Sequence, residues 1–238
     1  MHGVNAITAI VAEAPGSVTG IHPVPSETLR AQVEQVFTSF PVSGVKTGML
    51  ARGELVEIVC AALAPRGELP LVVDPVVRAS AGSELLDPAG VDRLKRELLP
   101  LASLATPNLP EAELLLGSPV SESDRRELPR RLYERYGCDF LVKGGHGSGD
   151  EIVDHACIAG DLHTFPHPRL EVGDVHGTGC ALSAAILARL CHGADRLTAI
   201  GGAIDYLAAA IAESHLWPEP RGTRALNPFP DGVDCPPT

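Results

Sequence analysis

The chain has 238 residues, 45% of them hydrophobic and 21% charged, with 24 glycines and 21 prolines. That length and composition fit one α/β domain with a sizeable core, and no segment approaches the length needed to span a membrane. A formal net charge of −11 argues against nucleic acid as a partner, although local N–H groups, one lysine and a metal can still hold a nucleotide.

The run from Ala6 to Ala14 ends in Ala-x-Ala, as a signal peptide does. No Lys or Arg precedes it and its apolar part is short, so Val4–Ala12 is read as a buried strand. Ser26 opens a helix that places Leu29, Val33, Val36, Phe37 and Phe40 on one face. Val42–Lys46 is a short strand, Glu54–Ala64 a helix and Leu69–Val73 a strand. Asp87-Pro88 supplies an N-cap with proline at the first helical position, and Val91, Leu94 and Leu98 follow on one face.

Ser103–Ala105 is a strand, with a short helix from Pro110 and a charged helix to Tyr136 that Pro129 kinks or delays. Phe140–Lys143 is the next strand. Ile152–Ile158 and Leu162–Phe165 flank Gly160-Asp161, which reads as a two-residue hairpin turn. Helices near 178–191 and 195–213 complete the pattern, and the segment 214–238 is read as a surface tail of the same domain. Repeated β-α units imply a mostly parallel sheet with helices on both faces and an antiparallel hairpin at one edge. Cys60, Cys138, Cys157, Cys180, Cys191 and Cys235 form no C-x-x-C pair, which points to reduced cysteines, a cytoplasmic protein and no zinc site.

In such sheets chemistry collects at the carboxyl ends of the strands. Those ends carry Glu13, Thr47-Gly48-Met49, Asp74-Pro75-Val76, Thr106-Pro107-Asn108, Lys143-Gly144-Gly145-His146 and Gly177-Thr178-Gly179-Cys180. Each alone is ordinary capping or turn chemistry; together they point to one cleft. Gly177 and Gly179 let the backbone turn into a helix whose first N–H groups suit an anion. Cys180 lies in its first turn, where that field favours thiolate over thiol. An anion cradle containing an activatable base points to phosphoryl transfer.

These segments resemble the hydroxymethylpyrimidine and hydroxymethylpyrimidine-phosphate kinases of thiamine biosynthesis, in the ribokinase-like superfamily. The matching stretches are Val4–Glu13, Val45–Leu50, Val73–Val76, Thr106–Ala112, Val142–His146 and His176–Ser183, in the family's order. The resemblance implies a three-layer ribokinase-like domain over 1–238, ATP and Mg²⁺ as cofactors, and a small pyrimidine as substrate. It makes Gly177, Thr178 and Gly179 an anion hole for the transferred phosphoryl group, and Cys180 the general base. Lys143 would reach the nucleotide phosphates, with Thr178 beside them. Asn108 and Glu111 match the motif that organises magnesium, and Asp74 either assists that ion or simply caps its strand.

Glu13 matches a position that contacts the aminopyrimidine, with Val11, Met49 and Val76 as apolar walls. Without the resemblance those three read as core residues. His146 and His176 are left without a role. Family members begin with a further strand, Gly-rich loop and helix, so an upstream start is expected; without that strand inside the sheet the chain should associate, as a homodimer. A pyridoxal or pyridoxine kinase is the alternative enzyme, and a ligand-binding relative impaired in turnover the alternative outside enzymes.

Overall fold

The computed structural model describes residues 2–14, 17–79, 82–145, 149–173, 175–217 and 223–232. Strands β1 (Ala9–Ala14) and β2 (Ser17–Pro23) form a two-stranded antiparallel sheet of their own. Helix α1 (Ser26–Ser39) follows. The main sheet then runs in chain order from edge to edge: β3 (Val45–Thr47), β4 (Leu71–Val73), β5 (Leu104–Ala105), β6 (Asp139–Val142), β7 (Glu151–Ile158) and β8 (Asp161–Pro168). Pairing is parallel from β3 to β6 and antiparallel from β6 to β8.

Side chains alternate across a strand, and here both faces are apolar. Val73, Ala105, Phe140 and Val142 face a layer that includes α2 (Gly53–Leu63), α3 (Pro88–Arg93), α4 (Leu109–Leu116) and α5 (Leu128–Tyr136). Their neighbours Val72, Leu104 and Leu141 face α6 (Thr178–Cys191) and α7 (Arg196–Ala212), against Leu182, Ile186, Ile200 and Ala203. This is the expected three-layer α/β sandwich. Asp87 caps α3 by accepting the Gly90 N–H at 2.6 Å, and Pro129 marks a late start of α5 rather than a kink.

Three expectations are corrected. The first strand is not buried in the main sheet: it pairs only with β2, and Ile10 is 66% exposed. The Ala/Ile/Val run carries the β signal but not the identity of its partner. The hairpin turn between β7 and β8 is Ala159-Gly160, one residue earlier than read, with φ of 51° and 91°. Both residues need positive φ, as a two-residue turn of this twist demands. The segment after Ser214 is exposed over 215–217, as expected of a surface tail, but it carries strand pairing that the sequence reading did not include. β10 (His215–Trp217) and β11 (Thr223–Ala225) pair antiparallel, and β11 pairs parallel with β9 (Val175–His176), just before the Gly-Thr-Gly turn. The end of the segment, 233–238 with Cys235, lies outside the described residues, as does His146.

Candidate active site

Parallel strands deliver their carboxyl ends to one edge of the sheet. Asp74 follows β4, is 3% exposed and has its N–H on the Thr47 carbonyl at 3.1 Å. Lys143 follows β6, with its N–H on the Pro107 carbonyl at 2.9 Å. Their side chains meet: Lys143 Nζ lies 3.2 Å from Asp74 Oδ1. Ser183 Oγ, fully buried on α6, sits 3.4 Å from Asp74 Oδ2 and 3.1 Å from the carbonyl oxygens of Gly179 and Cys180. Removing one partner of such a buried pair leaves an uncompensated charge, so Asp74, Lys143 and Ser183 hold one another in register.

The Gly-Thr-Gly turn has two distinct glycine requirements. Gly177 caps α6 with φ 84°, a conformation that side chains disfavour. A Cβ on Gly179 would lie 3.2 Å from Lys143 Nζ, so glycine lets the ammonium rest against the start of α6. Gly179 and Cys180 therefore stand beside Asp74 and Lys143, with Gly177 and Thr178 immediately before them in the turn.

Asn108 and Glu111 form a reciprocal cap on α4. The Asn108 N–H donates to Glu111 Oε2 at 2.8 Å, and the Glu111 N–H to Asn108 Oδ1 at 2.9 Å. Burial pushes the Glu111 carboxyl above its ordinary value, Lys143 and the backbone N–H groups of Asn108 and Val77 oppose this, and Asp74 adds to it. Among the described residues no cluster of three or more His, Cys, Asp and Glu side chains could hold a metal. Two neighbouring carboxylates nevertheless fit Mg²⁺, which takes one or two protein carboxylates and completes its shell with waters and substrate phosphates.

Cys180 corrects the sequence reading. The residue is exposed, but its thiol hydrogen-bonds Asp74, and its pKa is raised rather than lowered. Desolvation is the largest cause; Lys46 and Lys143 pull down, and Asp74 pushes up as a charge and as a hydrogen-bond acceptor.

The phosphomethylpyrimidine kinase family matches residues 1–221. The chain belongs to that family. The bifunctional thiamine biosynthesis protein ThiED of Geobacter sulfurreducens is 40% identical over 211 residues, 88% of this chain but only 43% of that protein. The hydroxymethylpyrimidine/phosphomethylpyrimidine kinase of Aquifex aeolicus is 35% identical over 215 residues, 90% of this chain and 84% of the relative. A solved ADP complex of Bacillus subtilis pyridoxal kinase superposes with a TM-score of 0.82 at 29% identity, covering 93% of this chain and 84% of that one. A phosphomethylpyrimidine kinase from Clostridium difficile gives 0.76 at 29% identity, covering 88% and 87%. The fold is thus ribokinase-like and the chain a small-molecule phosphotransferase.

In this phosphomethylpyrimidine kinase family member the residues expected to meet the acceptor are less closely tied together. Met49 and Val76 are half-buried on the loops after β3 and β4, and the Val76 N–H donates to the Asp74 carbonyl at 2.8 Å. Glu13 is exposed and Val11 half-buried on β1. The link from that hairpin to the strand ends is Thr8 Oγ1, which donates to the Met49 carbonyl at 2.6 Å. Among the described residues no hydrogen bond or ion pair joins Glu13 to the Asp74–Lys143 cluster.

Sequence reasoning passed over three residues. Ser183 was visible only as a small residue in a helix. Asp154 on β7, 5% exposed, accepts the Gly144 N–H at 2.6 Å and so holds the backbone next to Lys143; His167 Nε2 lies 3.4 Å from its other oxygen. Lys46 lies beside Cys180 and looked like a strand residue. Alternation along β3 was the available signal for Lys46: it pairs with Val72, whose face carries α6. The described residues include no helix long and apolar enough to cross a membrane.

Proposed function

We propose that the chain transfers the γ-phosphoryl group of ATP to the hydroxymethyl oxygen of 4-amino-5-hydroxymethyl-2-methylpyrimidine and then to the resulting monophosphate. The observation that carries this reading is the convergence of Asp74, Lys143, Glu111 and Cys180 on the start of α6. Lys143 binds the nucleotide phosphates, while Gly177, Thr178 and Gly179 turn N–H groups toward charge developing on the transferred group. Asp74 and Glu111 hold Mg²⁺, which offsets phosphate charge when bound. Cys180 takes the hydroxyl proton as the alcohol oxygen attacks phosphorus. Because the thiol is pushed up, only its thiolate fraction is competent, and Lys46 and Lys143 keep that fraction from vanishing.

Glu13 on its exposed hairpin accepts hydrogen bonds from the exocyclic amine, with Val11, Met49 and Val76 along the ring. The exposed Ile7 and Ile10, at 48% and 66%, suit pairing with a second copy, and the setting is the cytoplasm. Pyridoxal phosphorylation is the second reading, favoured by the 0.82 superposition on a pyridoxal kinase. ADP release measured with each acceptor under identical conditions separates the two. A higher kcat/KM with pyridoxal refutes the pyrimidine assignment, and acceptor binding without ADP release refutes turnover altogether.

A further inference from the structure

The two phosphorylations of the reading above make opposite electrostatic demands on one site. In the first, a neutral alcohol must lose a proton. In the second, the nucleophile is an oxygen of a phosphomonoester whose second pKa is about 6, so near neutral pH it is already a dianion. That oxygen bonds to the γ-phosphorus of ATP while the bond from phosphorus to the β,γ-bridging oxygen breaks. The products are the pyrimidine diphosphate and ADP, total charge is conserved and no proton has to leave the acceptor. A base is therefore dispensable in the second step, whereas a cation that offsets acceptor charge is not.

Lys46 has the properties of that cation. It pairs in register with Val72, whose face of the sheet carries α6, and so looks toward the helix start that bears Cys180. Its charge acts on the Cys180 thiol more strongly than that of Lys143. It borders the acceptor wall: a Cβ on Gly48, next to Met49, would lie 3.1 Å from Lys46 Nζ. Lys143 is engaged by Asp74 at 3.2 Å, but no carboxylate among the described residues forms an ion pair with the half-buried Lys46. An alcohol oxygen beside Cys180 becomes, after the first transfer, a phosphate beside the same thiol and hence beside Lys46.

We propose that Lys46 is the specificity-determining cation of the second phosphorylation, binding the phosphate of the monophosphate acceptor, while Cys180 serves mainly the first. This rests on the two-step pyrimidine reading. The test crosses two variants with two acceptors, the hydroxymethylpyrimidine and its synthetic monophosphate, each with ATP and Mg²⁺. Lys46→Gln should lower kcat/KM for the monophosphate about 100-fold, and at least tenfold less for the alcohol. Cys180→Ala should reverse this, costing roughly 10²–10⁴ on the alcohol and under about tenfold on the monophosphate.

Calorimetric binding of the monophosphate to Lys46→Gln, without nucleotide, should weaken about tenfold or more. Lys46→Arg, which keeps the charge, should recover most second-step turnover and guards against a folding defect in the Gln variant. Equal losses on both acceptors for either variant, or unchanged monophosphate binding, overturn the proposal. A parent enzyme active on the alcohol but inert on the monophosphate overturns it while leaving first-step chemistry standing. A parent inert on both refutes the underlying function instead.

Discussion

Gly144→Ala puts one methyl group where the fold has no room for it. A Cβ there would overlap the Val153 carbonyl oxygen and lie 2.8 Å from the carbonyl carbon, whereas carbon atoms pack at about 3.5–4.0 Å. The loop must therefore shift by about 1 Å relative to β7, breaking the 2.6 Å bond from Gly144 N–H to Asp154. Loss of a hydrogen bond to a buried carboxylate costs about 1.5–3 kcal/mol and overpacking about 1–3 kcal/mol, so ~2.5–6 kcal/mol together. For a chain of this size, at ~2–4 °C per kcal/mol, the melting temperature should fall by roughly 5–24 °C. Because the shift moves the adjacent Lys143, kcat/KM for ATP should also fall, on the order of 100-fold for a 1 Å misplacement. Gly145→Ala is the internal control. Among the described residues nothing lies within 4 Å of its Cβ position, so its melting temperature should stay within about 2 °C. Calorimetry and ADP release on the three proteins decide the matter. A Gly144→Ala variant that melts with the parent and binds ATP equally well refutes the steric argument.

Four further outcomes are expected. The Cys180 thiol lies above its ordinary value of 9.0, so kcat/KM on the alcohol acceptor should climb with pH across the neutral range and beyond pH 9; Cys180→Asp, whose carboxylate is already ionised, should flatten that climb, and a flat parent profile would remove the base assignment. Burial raises the Glu111 carboxyl, so the charged form costs stability: the cost is absent below the ordinary value of 4.5, appears as pH rises and is complete above the raised value. Glu111→Gln, which keeps the cap, should therefore melt no lower than the parent at pH 7 yet lose turnover and magnesium response; a large drop in melting temperature there contradicts this. Glu13→Ala should reduce the aminopyrimidine-over-pyridoxal ratio of kcat/KM by roughly 1–3 kcal/mol, and an unchanged ratio removes Glu13 from the pocket. Ala159 occupies φ 51° in the hairpin turn, so Ala159→Asn should stabilise by about 0.5–1 kcal/mol, checked by urea unfolding.

What was legible in the sequence was local. Asp87-Pro88 announces a helix cap, and Asp87 does accept the Gly90 N–H; its second bond, from Gly53 N–H at 3.0 Å, ties α3 to α2 and has no sequence signature. The apolar doublets Val72-Val73, Leu104-Ala105 and Phe140-Leu141 are short buried strands, one residue of each facing either layer. The strand ends were legible as well, because glycine, proline and polar residues cluster where parallel strands stop. The Gly-Gly pair was visible as a turn, but which glycine is obligatory depends on the approach of Val153, a neighbour that only the folded hairpin supplies.

The site's electrostatics were not local, and there the sequence reading failed. A cysteine in the first turn of a helix, taken alone, should be a good thiolate. Although the residue is exposed, its proton affinity is instead set by desolvation of the thiol that bonds the buried Asp74 and by the Asp74 charge, from a different strand end, against Lys46 and Lys143 from two more strands. Asp74 is in turn fixed by Lys143 and Ser183, 69 and 109 residues further along the chain. Desolvation, the largest of these causes, disfavours the thiolate, and it comes from the packing around the sulfur rather than from the local sequence. The same reasoning separates the two lysines. Lys143 is matched by a buried carboxylate, whereas among the described residues no carboxylate pairs with Lys46, which is why the proposal gives the incoming dianion to Lys46. The chemistry of each step then follows from which group is already compensated, a property no segment of sequence carries by itself.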